Sequence, residues 1–170
     1  MKNKNLITVS PSGSLTFKNK SYKCALGESG VAVEKKEGDG ATPAGTFVIR
    51  EIFYRPDRLE SPKTSLTIAP LKPNDAWCDD PTHVNYNKKV KIPHEGHVEK
   101  LWRKDHVYDV IVVIGYNDDP IKKSGGSAIF LHVAKDDFKR TKGCVALKLT
   151  DLNEIISKLT PQSQIRILPP

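Results

Sequence analysis

Cys144 and His132 are the side chains of this sequence best suited to covalent chemistry. They stand 12 positions apart across a charged connection, Lys135 to Lys142, and Gly143 directly precedes the cysteine. A thiol with an imidazole in reach is a nucleophile with its base, the parts of an acyl-transfer site working through a thioester. Thiolate is the attacking form, and a free cysteine with pKa ~8.5 is mostly protonated at neutral pH. His132 would take that proton, while Lys139, Arg140 and Lys142 would add positive potential favouring the thiolate. The N–H groups of Gly143 and Cys144 are the natural oxyanion donors, and a glycine there lets the main chain approach a carbonyl closely. The plainer reading makes Cys144 a small buried hydrophobe and His132 a hydrogen-bonded strand histidine. Spacing alone favours the plainer reading.

The elements around the pair decide whether it can meet. In Ser127 to Val133 (SAIFLHV), Ile129, Leu131 and Val133 alternate with Ala128, Phe130 and His132, the pattern of a half-buried strand. A second apolar run, Val145 to Leu147, follows the loop, so strand, loop and strand can set His132 beside Cys144. Upstream, residues 6–9 and 15–17 read as a hairpin and residues 22–26 as a further short strand. The glycine-rich loop from Gly38 to Gly45 lacks the Gly-Lys-Ser/Thr ending of a phosphate-binding loop. Thr46 to Tyr54 predicts a strand, ended by Arg55-Pro56. Residues 56–97 form an irregular excursion, expected to be ordered because Trp77, Tyr86 and Ile92 offer something to bury. Asp79 and Asp80 there suit either a substrate amine or a turn cap. Residues 98–103 read as a short helix or turn, and Val107 to Tyr116 as a central strand. Thr150 predicts the N-cap of a helix from Asp151 to Leu159, with a last strand over residues 164–168. The sum is a mainly β protein with one good helix.

Two stretches now carry a resemblance. His132, followed by Thr141-Lys142-Gly143-Cys144-Val145, is similar to the signature of the L,D-transpeptidase catalytic domain, the YkuD-type family: a strand histidine, then Ser/Thr-His-Gly-Cys and a hydrophobic residue. Gly38-Asp39-Gly40-Ala41-Thr42-Pro43-Ala44-Gly45-Thr46-Phe47 resembles the family's early G-x-x-T-P-x-G-x-F segment. Both lie in the family's order, and the likeness runs from about Tyr22 to about Leu168. Three departures mark a divergent branch. Lys142 replaces the second histidine, Ala146 stands where an arginine commonly follows, and the interval from His132 to Cys144 is short.

The resemblance implies one L,D-transpeptidase-like β-sandwich domain over residues 1–170, with one or two short helices. It implies a cysteine-dependent peptidoglycan transpeptidase, in which Cys144 takes the acyl group of a stem peptide and passes it to a diaminopimelate-type amine. Thr141, Lys142, Arg140 and Ser127 would then bind the peptide, a backbone carbonyl would orient His132, and carbapenems could acylate Cys144. Ala146 leaves the donor carbonyl, hence the cross-link position, open. Two other readings stay: a cysteine hydrolase trimming stem peptides, and a non-catalytic module binding cell wall or nucleic acid. A place in the periplasm or cell envelope follows from the resemblance.

Composition narrows the rest. At 170 residues the chain has the size of one ordinary domain, expected as a monomer. No run approaches the ~20 apolar residues of a membrane span. The start, MKNKNLITVS, lacks the roughly 7–15 apolar residues of a signal peptide. Cys24, Cys78 and Cys144 are odd in number and far apart, which argues against a disulfide framework. No cofactor or metal is expected: His94 and His97 could ligate one, but no third ligand is spaced to help them. The net charge of +7 favours anionic partners. Its basic residues are scattered without interleaved aromatics, so nucleic acid is not the expected one.

Overall fold

A computed structural model describes residues 5–170. Strands β1 (Leu6–Ser10), β2 (Ser14–Phe17) and β3 (Lys20–Lys23) form an antiparallel meander. A short parallel pair, β4 (Val31–Ala32) and β5 (Thr42–Pro43), precedes the long β6 (Gly45–Tyr54). The excursion then supplies β7 (Ile68–Pro70), β8 (Asp75–Cys78), β9 (Lys88–Lys91) and β10 (Val98–Lys100). After them come β11 (Val110–Ile114), β12 (Phe130–Val133), β13 (Val145–Leu147), helix α1 (Leu149–Ile156) and β14 (Gln164–Ile167). The main sheet runs β13-β12-β11-β6-β14-β1-β2-β3, with β7 beside β6, and β10-β8-β9 make a second sheet. The fold is mainly β, as expected.

Register explains the division of labour around the cysteine. β12 and β13 run parallel, with Leu131 opposite Val145, His132 opposite Ala146 and Val133 opposite Leu147. Side chains alternate faces along a strand. Leu131, Val133, Val145 and Leu147 therefore enter the principal core beside Leu152, Ile155 and Ile156 of α1. Each such aliphatic burial stabilises by roughly 1.5–3 kcal/mol. Ala128, Phe130 and Cys144 turn the other way, into a second cluster with Trp77 and Tyr108. One face anchors the strands and the other is left for chemistry.

Four expectations shift. Residues 98–100 are a strand, because Glu99 pairs opposite Trp77 on the edge of β8. Helix α1 begins at Leu149, which packs on the core and draws the start ahead of Thr150; Lys148 takes the N-cap position without a side-chain cap. The central strand is shorter, since Asp109 N–H closes a turn onto the His106 carbonyl. The third strand of the meander starts and ends earlier than residues 22–26, and Ala25 instead bridges to Ala146.

The excursion is ordered and pinned at Asn87, which is buried. Its Oδ1 accepts from Trp77 Nε1 at 2.9 Å and from Ala128 N at 3.1 Å. Its Nδ2 donates to the carbonyls of Tyr116 at 3.0 Å and Asn117 at 2.8 Å. All four hydrogen-bonding capacities of the amide are filled. Trp77 meets the Phe130 ring edge-to-face at 5.0 Å, completing the seam. Asn87→Ala leaves two buried donors and two carbonyls without this partner, and should lower stability by about 2–4 kcal/mol. Urea unfolding followed by Trp fluorescence checks it, and a loss no larger than that of Val84→Ala, an exposed site, would refute this account.

Candidate active site

Cys144 and His132 line one cleft of about 580 Å³ and are only 8% and 5% exposed. The thiol sits between two backbone groups. It donates to the Ala128 carbonyl at 3.2 Å and accepts from Phe130 N–H at 3.4 Å. Ala128 has φ +53°, the left-handed region that an alanine seldom adopts. His132 Nδ1 donates to the Val133 carbonyl at 2.9 Å, which leaves Nε2 as the basic nitrogen. The Tyr108 ring stands edge-on to the imidazole at 5.4 Å.

Burial pushes the Cys144 thiol up to about 12, with the Glu99 charge adding to it and Phe130 N–H and Lys35 opposing. Burial also lowers His132 to about 4, despite its hydrogen bond to Val133. The free site thus holds a neutral thiol beside a neutral imidazole. This corrects the expectation that Lys139, Arg140 and Lys142 bias the cysteine toward thiolate. All three line the cleft, yet burial dominates, and the cation acting on the thiol is Lys35.

Thr141, Lys142, Arg140 and Ser127 line the same cleft. Arg140 reaches the Glu28 carbonyl at 3.1 Å, and Lys142 is exposed. The Ser127 hydroxyl is buried near the Tyr86 phenol without a hydrogen bond of good geometry to the described residues. Gly143 lies beside the cleft. Its N–H donates to Thr141 Oγ1 at 3.1 Å, and that hydroxyl donates to the Cys144 carbonyl at 2.7 Å. With φ +136°, a Cβ at Gly143 would stand 2.8 Å from the Ala41 carbonyl, so only glycine fits.

That contact explains how two stretches roughly a hundred residues apart belong together. Residues 25–28 run beside 141–146, through Thr141 N–H to the Leu26 carbonyl at 3.0 Å and Ala146 N–H to the Ala25 carbonyl at 2.9 Å. Thr42 Oγ1 then accepts from Gly27 N–H at 2.8 Å, which ties the early loop to that layer. Asp39 fastens the loop itself, accepting from Lys36 N–H at 2.7 Å and Ala41 N–H at 2.9 Å. It also pairs with Lys35 at 2.6 Å and so aims that ammonium into the cleft.

Sequence reasoning missed Lys35, Glu99, Arg103 and Tyr108, all of which line the cleft. Tyr108 Oη donates to Glu99 Oε1 at 2.6 Å. Arg103 lies over the Tyr108 ring at 5.3 Å and is held by Asp105 at 2.8 and 2.7 Å. Asp79 takes the His97 Nδ1 at 2.5 Å, which removes His97 from the pairing with His94 weighed for a metal. Cys78, His83 and His94 converge instead, one ligand atom of each lying within 4.8 Å of the others. His83 Nδ1 there accepts Asn85 N–H at 3.0 Å, which places the ring proton on Nε2; a cation would have to displace it.

Comparison with solved structures finds L,D-transpeptidase 1 of Mycobacterium tuberculosis, with 10% identity and a TM-score of 0.45 over 96% of this chain and 58% of that one. The same enzyme in complex with imipenem gives 10% identity and a TM-score of 0.46 over 96% and 58%. The L,D-transpeptidase of Mycobacterium smegmatis gives 11% identity and a TM-score of 0.48 over 98% and 59%. The chain therefore spans just under three fifths of those proteins. No curated protein matches it. Among the described residues no helix is long and apolar enough to cross a membrane. Against protein families the match covers residues 4–167, nearly the whole chain, and its description is YkuD, L,D-transpeptidase catalytic domain; the chain belongs to that family.

Proposed function

We propose that the protein is a cysteine-dependent acyltransferase acting on peptidoglycan stem peptides at the cell envelope. The observation that supports this most is that the Cys144 thiol and His132 line one cleft, the imidazole tied through Nδ1 to a backbone carbonyl. As Sγ attacks the donor carbonyl, His132 Nε2 takes the thiol proton, so charge develops only in the transition state. The Cys144 N–H receives the oxyanion, joined by the Gly143 N–H once the Thr141 hydroxyl yields it. Collapse breaks the C–N bond, and His132 returns its proton to the leaving amine. The thioester remains until an acceptor amine attacks its carbonyl and the C–S bond breaks. Lys142, Arg140, Thr141 and Ser127 hold the stem peptide, the two cations facing its carboxylates.

A neutral pair in the free site makes slow alkylation of Cys144 compatible with catalysis, so acyl transfer itself is the informative readout. Wild-type protein incubated with disaccharide-tetrapeptide should gain the mass of an acyl group or release cross-linked dimer, and Cys144→Ala should do neither. Intact-mass and muropeptide analysis check it. Trimmed monomer alone would turn the assignment to a hydrolase, and identical behaviour of the two proteins would refute it.

The pH dependence carries its own signature. His132 is basic above its lowered pKa of about 4. The acid limb of acylation should fall near that value, not near the ordinary ~6.5 of histidine. Stability follows the same group. The unfolded chain binds the proton first, so stability is full above pH ~6.5 and falls as pH drops, by about 3 kcal/mol at pH ~4. Unfolding titrations of wild type and His132→Asn measure the effect. An unchanged slope in the variant would contradict it.

A further inference from the structure

The cleft has two kinds of wall. Lys35, Arg103, Lys135, Lys139, Arg140 and Lys142 supply cations, whereas Glu28, Glu37, Asp79 and Glu99 supply carboxylates. Most of the acids are accounted for. Glu37 accepts from the Tyr86 hydroxyl, Asp79 pairs with His97, and Glu28 is exposed at the rim. Glu99 differs. It is partly buried on β10, and only Oε1 is engaged, by the neutral Tyr108 hydroxyl at 2.6 Å. Oε2 accepts no hydrogen bond, and no cation pairs with the carboxylate, among the described residues. Arg103, the nearby guanidinium, is committed to Asp105 at 2.7 Å.

A carboxylate without a direct ion pair near the Cys144 thiol works against the first step, although Arg103 and Lys142 act on it from a distance. Its charge disfavours thiolate at Cys144, and burial raises its own pKa. Such a group is costly unless a cation completes it. The two substrate roles differ in what they present at the reacting centre, even where one stem peptide fills both. The donor brings carboxylates, which suit the basic wall, and the acceptor brings a primary ammonium, which does not.

Resting on the acyl-transfer reading above, we propose that Glu99, held by Tyr108, is the acceptor subsite: it binds the ammonium of the incoming amine and takes its proton. The ammonium transfers one proton to Glu99, and the free amine attacks the thioester carbonyl. As the C–S bond breaks, neutral His132 carries the second nitrogen proton to the departing sulfur. The product amide and the Cys144 thiol are then complete, and Glu99 releases its proton to solvent. The subsite selects primary amines over water and over acylated amines, which carry no positive charge.

The test separates the two half-reactions. Thioester is formed from a donor whose own side-chain amine is acetylated, acceptor amine is added, and cross-linked and hydrolysed products are counted for wild type, Glu99→Gln and Tyr108→Phe. Glu99→Gln should form thioester no more slowly than wild type, since the opposing charge is gone, and raise the acceptor concentration for half-maximal aminolysis by on the order of tenfold to a hundredfold. Hydrolysis should take the difference, and Tyr108→Phe should fall between. In wild type, N-acetylated acceptor should not compete with the amine. Equal partition in Glu99→Gln, equal slowing of thioester formation and aminolysis, or competition by N-acetylated acceptor would each overturn the assignment. Absence of thioester in wild type would overturn the acyl-transfer reading itself, a distinct failure.

Discussion

The Cys144 thiol donates to the Ala128 carbonyl at 3.2 Å, and that carbonyl is aimed by a backbone alanine seldom adopts, φ +53°. Strain of this kind, of order 1–3 kcal/mol, persists only where the surroundings over-determine it. Asn87 does so, because its Oδ1 takes the Ala128 N–H while its Nδ2 holds the carbonyls of Tyr116 and Asn117. Gly126, just upstream, donates its N–H to the Tyr86 hydroxyl at 3.0 Å. The excursion is thus the clamp that fixes the segment entering β12. Without it the alternation of β12 would still bury Leu131 and Val133, but the thiol would lose the acceptor that parks it.

Electrostatics then set the kind of catalysis available. Burial raises the thiol and lowers the imidazole, so neither is charged before substrate arrives. A pre-formed thiolate–imidazolium pair would need solvation or further hydrogen bonds, and the described residues give the thiol the Phe130 N–H and a distant Lys35, and the imidazole the Val133 carbonyl. On the proposed acyl-transfer reading, proton transfer is therefore coupled to attack. On that reading charge is stabilised where it develops, by the turn from Thr141 to Cys144, already shaped by the two hydrogen bonds of the Thr141 hydroxyl.

The place of Cys144 and His132 in one cleft, and the strand that carries the histidine, were legible because a two-residue period and a short glycine-led turn are local signals. The early glycine-rich loop was legible only through resemblance. Its physical role joins Thr42 to Gly27 and sets the Ala41 carbonyl against Gly143, the latter across roughly a hundred residues that no periodicity spans. Glu99 was invisible for a different reason. Val98 to Lys100 is too short to show a period, and what matters there is a pairing with Trp77 on β8. Asn87 sits in a polar run where a fully bonded amide and a solvated one read alike. His94 and His97 were adjacent in sequence but parted in space, His97 going to Asp79 and His94 to His83, whose ring lies 4.4 Å away.

The replacement of the usual arginine by Ala146 has a structural counterpart. Ala146 lies directly opposite His132 in the β12–β13 register and is nearly fully buried, its N–H and carbonyl both bonded to Ala25. A guanidinium at that position would stand against the imidazole, the group already lowered to about 4 by burial. The cleft holds guanidinium groups elsewhere, on Arg140 and on Arg103, and the charge of Arg103 also acts to lower His132. Asp105 fixes that group and the Tyr108 ring supports it, and Tyr108 in turn holds Glu99. Moving the cation from β13 to the segment after β10 keeps a positive wall in the cleft and leaves room beside the imidazole. It also places the cation and the Glu99 carboxylate on one stretch of chain, four residues apart, so the basic and acidic sides of the cleft are built together at and just after β10.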